Sequence, residues 1–276
     1  MSAQKVGVIA GGGALPVRLA EACRLTGRPY FIARIAGMAE RALQEHPGAE
    51  FGLGEMGARF KALKAAGVEA VALVGMVKRP DFATLKLDAR AALMLPRVLA
   101  AAKKGDDAIL RVIVEECERE GFAVIGADAI AGDLLAPRGV LAGAAPDANV
   151  EADIAKGMDV AAELGRFDIA QGCVVCDGFV LALEAAEGTD AMLRRVAELP
   201  EAGRGTTAAR RGVLVKRAKP IQDRRVDLPV IGLETIAGAA RAGLAGVAVE
   251  AGASLILDRP AVIAAAQAQG LFVVGV

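Results

Sequence analysis

Between Val215 and Thr235 the chain reads VKRAKPIQDRRVDLPVIGLET, a run that crowds cations and carboxylates between two apolar, strand-like stretches. Lys216, Lys219, Arg224 and Arg225 can neutralise phosphate oxygens, and Asp223 and Asp227 supply the hard oxygen ligands that suit Mg²⁺. Pro220 and Pro229 stiffen the loop that carries them. The combination predicts a metal-assisted phosphate site, although a charge run taken alone is more often a solvated, salt-bridged loop. A second stretch, Val174 to Arg195, reads VVCDGFVLALEAAEGTDAMLRR. It predicts a hairpin turning at Asp177-Gly178, then Glu187-Gly188-Thr189-Asp190, then a helix. Thr189 or Asp190 is placed to cap that helix, whose first N–H groups form an anion site.

Two further stretches lie near the N-terminus. Gly11-Gly12-Gly13-Ala14-Leu15-Pro16 follows a strand and opens a helix, as a dinucleotide fingerprint would, but Pro16 stands at its third glycine position. The next strand ends in Ala33-Arg34-Ile35 without the acidic residue that would hold a ribose hydroxyl, while Arg34 could suit a 2′-phosphate. A tight strand-to-helix turn explains the glycines equally well. Gly75-Met76-Val77-Lys78-Arg79-Pro80 ends the third strand at the carboxyl edge, where open α/β sheets bind ligands, and carries two cations; an exposed loop fits these residues as well. Phe82 to Ala102, FATLKLDARAALMLPRVLAAA, is rich in Leu and Met and reads first as core, second as the wall of an apolar groove.

His46 is the single histidine of the 276 residues. That excludes a multi-histidine dinuclear phosphoesterase and Ser-His-Asp or Cys-His catalysis. Beside Pro47-Gly48, His46 is expected on the surface. Val114 to Gly121, VEECEREG, is acidic and helical but lacks the glycine and arginine-glutamate spacing of a Nudix hydrolase. Of the four cysteines, Cys173 and Cys176 form a C-x-x-C inside an apolar strand, with no second pair to complete a tetrahedral site, and read as small buried hydrophobes. Formal net charge is zero, 33 basic against 33 acidic residues, so no global field favours nucleic acid. No apolar run reaches the roughly 18 residues of a spanning helix, and the glycines and Pro16 break up the N-terminal apolar stretch where a signal peptide would be continuous. A cytoplasmic protein is expected.

These residues need elements to hold them. Strands near 5–10, 29–35 and 69–76 alternate with helices near 14–27 and 57–67, the pattern of a parallel sheet with covering helices. Helices near 88–104 and 106–120 and a strand at 122–126 complete a Rossmann-like domain over residues 1–132. Residues 134–150 hold two prolines and little periodicity. A second α/β domain with more hairpin character spans 133–276, with a helix at 151–166. Its strands fall near 172–183, 211–218, 228–233, 246–249 and 254–257, and its other helices near 189–198, 234–243 and 259–269. Its cores are Ala, Val, Leu and Ile, since hydrophobic residues make up 54% and aromatics 3% of the chain.

The two charged stretches together resemble the C-terminal domain of the LpxI-type UDP-2,3-diacylglucosamine pyrophosphatases, in which VxAVEAxEGTDAM is followed by KxxKPxQDxRxDLPxxG. Val8 to Pro16 and Ala242 to Gly275 resemble the ends of the same family, so the resemblance covers essentially the whole chain. Ile221 departs from it, where glycine is expected. The resemblance implies Mg²⁺-dependent hydrolysis of UDP-2,3-diacylglucosamine to UMP and 2,3-diacylglucosamine 1-phosphate (lipid X), by water attack on the β-phosphorus, in lipid A synthesis. Asp223 and Asp227 would hold the metal or orient water; Asp227, ahead of Leu228-Pro229, is alternatively a turn residue. Lys216, Lys219 and Arg225 would neutralise phosphates, and Glu187, Gly188, Thr189 and Asp190 would position phosphate or water. Gln222, Gly11, Gly12, Gly13, Met76 and Lys78 complete the expected substrate contacts, with uridine read by the N-terminal domain and the substrate in an interdomain crevice. Transient contact with the inner-membrane surface and a homodimer are left open. A non-catalytic nucleotide-sugar binding module and an NAD(P)-dependent oxidoreductase with a degenerate glycine turn remain as rivals.

Overall fold

The computed structural model describes residues 4–78, 80–82 and 84–276, which divide into two compact units. The first comprises Met1–Gly132 together with Arg225–Asp227; the second comprises Asp133–Arg224 and Leu228–Val276. Both are α/β, as the alternating pattern requires.

The first unit is a five-stranded, all-parallel sheet in the order β3-β2-β1-β4-β5. Its central strand β1 (Val6–Ala10) is buried at every position, which is why VGVIA shows no polar alternation. β2 (Tyr30–Ile35) and β4 (Ala70–Val74) flank it, with β3 (Gly48–Phe51) and β5 (Ala123–Val124) at the edges. β3 is a strand that the sequence reading omitted, because GAEF carries neither alternation nor branched residues. Helix α1 (Ala14–Thr26) ends in a left-handed Gly27, and α2 (Met56–Ala65) precedes β4. The antiparallel pair α3 (Ala89–Ala102) and α4 (Asp106–Arg119) is tied by Arg90 and Arg97 to the buried Glu116.

Asp88 sets the start of α3. Its carboxylate accepts from Ala91 N at 2.9 Å as N-cap and also from Gly57 N at 2.7 Å and Ala58 N at 3.1 Å in the first turn of α2, so one side chain caps two helices.

His46 is not the surface residue expected. It is 8% exposed, with Nδ1 2.8 Å from the Tyr30 hydroxyl and Nε2 3.4 Å from Glu21 Oε1. The turn at 41–45 folds the ring against α1, and burial is tolerated because both ring nitrogens meet a partner.

The second unit is a mixed six-stranded sheet, β6-β13-β11-β9-β7-β8. β9 (Val213–Lys216), β11 (Gly246–Val249) and β13 (Phe272–Gly275) run parallel. β7 (Gly172–Cys176) is antiparallel to β9 and forms the expected hairpin with β8 (Phe179–Leu183). The prolines of 134–150, Pro137 and Pro146, flank a strand that the sequence reading omitted, β6 (Gly139–Ala142), which pairs antiparallel with β13 at the sheet edge. β13 was missed as well. A two-stranded parallel pair, β10 (Val230–Ile231) with β12 (Leu255–Ile256), stands apart. Helices α5 (Ala148–Gly165), α6 (Gly188–Ala197), α7 (Leu233–Arg241) and α8 (Arg259–Ala268) complete the unit.

Candidate active site

Strand direction collects charge at one edge of the second sheet. β9 and β11 end there, β7 begins there, and β8 returns there, since Gly172 pairs with Lys216 and Glu184 N donates to Gly172 O at 2.9 Å. Lys216, Glu184 and Glu250 therefore stand side by side at the carboxyl ends of the parallel strands, the place where open α/β sheets hold ligands.

The centre of this edge is a buried chain of three polar side chains. Lys216 Nζ donates to Thr189 Oγ1 at 2.6 Å, and the Thr189 hydroxyl in turn donates to Glu184 Oε1 at 2.7 Å. Lys216 Nζ also reaches Val230 O at 3.4 Å and stands 3.7 Å from Glu184 Oε2, which has no hydrogen-bond donor of its own. Lys216 is 3% and Glu184 7% exposed, so the pair is held in low dielectric, where it is strong but costly to assemble. Both roles of the Thr189 hydroxyl are thus fixed. It does not cap α6: Glu187 occupies the cap position without a side-chain cap bond, and Thr189 lies inside the first turn. Asp190 also lies within that turn, and Gly188 takes φ 79°, a left-handed value that favours glycine. The Glu187 carboxyl is held below its ordinary range by its own backbone amide and by the Arg195 guanidinium.

The loop after β9 folds over the same edge. Glu250 accepts from Ala218 N at 3.0 Å and lies 3.5 Å from Arg224 and 3.9 Å from Arg217. Lys219 Nζ is ion-paired with Asp168, a non-glycine residue at φ 58°, so this cation is engaged with a carboxylate of the chain itself. Gln222 is buried; its Oε1 accepts from Lys219 N at 2.8 Å, while its Nε2 finds no acceptor. Asp223 is half-buried on the same turn. Arg225 and Asp227 belong to the first unit, where Arg225 pairs with Glu118 at 2.9 Å.

Sequence reasoning overlooked Glu184, Glu250, Arg217 and Asp168. The signal for two of them was available: Glu184 and Glu250 each follow directly on an apolar strand, the position where a carboxyl edge presents side chains.

In the first unit, Gly11, Gly12 and Met76 come together for a packing reason. Gly12 N donates to Met76 O and Met76 N to Gly12 O, both at 2.9 Å, and a Cβ on Gly11 would lie 2.6 Å from Met76 O. The glycines let two backbones touch. Gly13 takes φ 91° and donates its N–H to Glu40 Oε1 at 3.0 Å, so a carboxylate already sits at the start of α1. Lys78 is exposed; Arg79 lies outside the described residues.

Behind that edge lies a cavity of about 370 Å³ lined mainly by apolar side chains. Leu73 comes from the sheet, Met94, Leu95 and Val98 from α3, and Leu110 and Ile113 from α4, with Lys78, Arg59, Asp106 and Asp227 as its charged residues. The stretch from Phe82 therefore serves both as core and as a groove wall.

All four cysteines are buried and free, and burial pushes Cys173 up to about 12 and Cys176 up to about 11. Among the described residues no three His, Cys, Asp or Glu side chains are grouped so as to hold a metal.

Two domain families match the chain: the LpxI N-terminal domain over residues 5–134 and the LpxI C-terminal domain over residues 137–274. The chain is also similar to the UDP-2,3-diacylglucosamine pyrophosphatase LpxI of Caulobacter vibrioides (strain ATCC 19089 / CIP 103742 / CB 15), 55% identical over 273 residues, covering 99% of this chain and 98% of that one.

Proposed function

Because this chain belongs to the LpxI family, we propose that it hydrolyses UDP-2,3-diacylglucosamine, releasing UMP and 2,3-diacylglucosamine 1-phosphate (lipid X), a step of lipid A synthesis. In that reaction the oxygen of water bonds to the β-phosphorus, the bond from the β-phosphorus to the bridging oxygen breaks, and UMP leaves with that oxygen. What supports the reading is the pairing, in one chain, of an apolar cavity in the first unit with a charged carboxyl edge in the second. An amphiphilic pyrophosphate needs both kinds of surface.

The chain's own residues supply electrostatics and position rather than a covalent group. Lys216 is too buried to meet solvent, so its charge acts through the Thr189 hydroxyl and the first turn of α6, a helix N-terminus that no side chain caps and whose polarity favours a phosphate. Glu184 holds Thr189 and Lys216 in register. Arg224, exposed beside Glu250, is the cation of this edge best placed to meet an anion from solution.

Mg²⁺ when bound would neutralise phosphate charge during the attack. Among the described residues no group of three or more carboxylates, histidines or cysteines would cage it, so an ion here would be held by one or two carboxylates, with substrate oxygens and water completing its shell. Asp223, half-buried on the turn after Gln222, would hold it.

What supports access to a membrane-borne substrate is helix α3. Its outer face exposes Ala92, Leu93, Pro96, Leu99 and Ala100, with Leu93 75% exposed, and the segment Ala89–Ala102 contains no acidic residue. Lys86 before the helix and Lys103 and Lys104 after it are exposed as well, a layout that suits transient docking on an anionic membrane surface.

The test is to incubate the purified protein with UDP-2,3-diacylglucosamine and Mg²⁺ in heavy-oxygen water. UMP should appear, the label should enter the lipid phosphate, and EDTA should stop the reaction. A label found in UMP would overturn attack at the β-phosphorus, and absence of turnover would overturn the assignment to catalysis.

A further inference from the structure

The cavity of the first unit holds a charge that its surroundings do not explain. Arg59, on α2, is 3% exposed and lines the cavity among apolar side chains. A guanidinium carries five N–H donors. Here Nη2 donates to Gly52 O at 2.9 Å and Nη1 points to Met56 Sδ at 3.1 Å, a weak acceptor, while Nε–H has no acceptor at all. Among the described residues no carboxylate lies within 4.0 Å of it, whereas the other well-buried cation, Lys216, has Glu184 beside it. Burial lowers its pKa despite the pull of Cys117, Asp88 and Glu55 at longer range.

A buried arginine without a counter-charge is expensive, and a methionine of similar length would fill the same space without that penalty. Arginine at this position is therefore better explained by what the cavity receives than by what surrounds it in the free protein. A pure hydrocarbon would leave the N–H groups unsatisfied, but a chain carrying an acceptor oxygen would satisfy them.

We propose that Arg59 makes this cavity a site for an alkyl chain bearing an oxygen acceptor, with the guanidinium reading that oxygen. The inference rests on the functional reading above in one respect: an acyl chain of the substrate is one source of such an oxygen, as an ester or amide carbonyl or a chain hydroxyl. The carboxylate of a free fatty acid is the other. In either case Arg59 selects among chains by the oxygen they carry, while the leucines and methionines around it bury the methylenes.

The experiment uses the full chain and two soluble probes, laurate and its uncharged methyl ester, measured by calorimetry with wild type, Arg59→Met and Arg59→Gln. Wild type should bind at least one probe, and Arg59→Met should bind it roughly tenfold or more weakly, since a hydrogen bond from a charged donor is lost. Arg59→Gln, which keeps N–H donors without the charge, should retain the ester but not laurate. A loss confined to laurate names a carboxylate as the ligand; loss of the ester as well names the acyl chain of the substrate. The free Arg59→Met protein should melt at or above the wild-type temperature.

A marked fall in that melting temperature would show Arg59 to be structural and overturn the proposal. Wild-type affinity of Arg59→Met for both probes would do the same, as would failure of wild type to bind either. Pyrophosphatase activity is read separately, so an inactive protein whose probe binding still depends on Arg59 would refute the functional reading and leave this one standing.

Discussion

Replacing Lys216 by methionine tests whether the buried chain at the second sheet's edge is a functional device or a packing accident. The change removes the ammonium from Thr189 Oγ1 at 2.6 Å and from Glu184 Oε2 at 3.7 Å, leaving a carboxylate that is 7% exposed with one oxygen already lacking a donor. Breaking one half of a buried pair costs about 3–5 kcal/mol, because the remaining charge stays in low dielectric. At about 1.4 kcal/mol per factor of ten, the ratio of folded to unfolded protein falls by roughly two to three and a half orders of magnitude. Removing both charges, in Lys216→Met with Glu184→Leu, should recover most of that loss, since a buried pair replaced by apolar groups is often near neutral. Urea unfolding followed by far-ultraviolet circular dichroism suits the measurement, because the chain has no Trp and its single Tyr, Tyr30, lies in the first unit. If the chain of three also places charge behind the first turn of α6, the stabilised double variant should still lose roughly a hundredfold or more in kcat. A Lys216→Met protein as stable as wild type would refute the energetic argument. A double variant that regains both stability and turnover would refute the functional one.

Asp223→Ala should abolish most turnover while leaving substrate binding within a few-fold, read by kcat and by calorimetry; near wild-type kcat would remove Asp223 from the mechanism. Asp88→Ala should cost about 1–2 kcal/mol of stability in the first unit, the usual loss for a helix cap, because its carboxylate serves two helices. The Asp88 pKa lies below the ordinary value: burial opposes this, but the amides of Ala91, Ala58 and Gly57 outweigh it. The folded state therefore favours the ionised form, so this contribution is complete above the unfolded carboxyl pKa of about 3.9 and fades as pH falls through the lower folded value. The difference in stability between wild type and Asp88→Ala should shrink accordingly on acid titration, and a pH-independent difference would contradict the assignment. Leu93→Glu with Leu99→Glu should weaken sedimentation with anionic vesicles by roughly tenfold or more while leaving turnover of detergent-dispersed substrate unchanged, and unchanged vesicle binding would exclude α3 as the docking face.

Local pattern carried most of the elements and the family. The glycine turn after β1, the Asp177-Gly178 hairpin, the apolar runs of β7, β9 and β11, and the charged stretch after Lys216 are all written in consecutive residues, because turns and parallel strands impose their demands locally. Strands β3 and β6 were hidden because edge strands bury little and GAEF and GVLA carry no alternation. Partnership was not legible. Nothing near His46 announces that Tyr30 and Glu21 enclose it, and nothing in EAAEGTDAM says that Glu184 and Thr189 meet a lysine 27 residues beyond Thr189. Those contacts arise from strand order, since β8 and β9 are brought to the same edge with only β7 between them. The same holds for the first unit, where sequence placed Leu and Met around residues 85–98 and only the packing of α3 and α4 against the sheet left a cavity there with an unpaired arginine in its wall. Sequence fixes which residue types are available at each position along the chain; burial and proximity, which decide what a charge can do, exist only once the sheets are assembled.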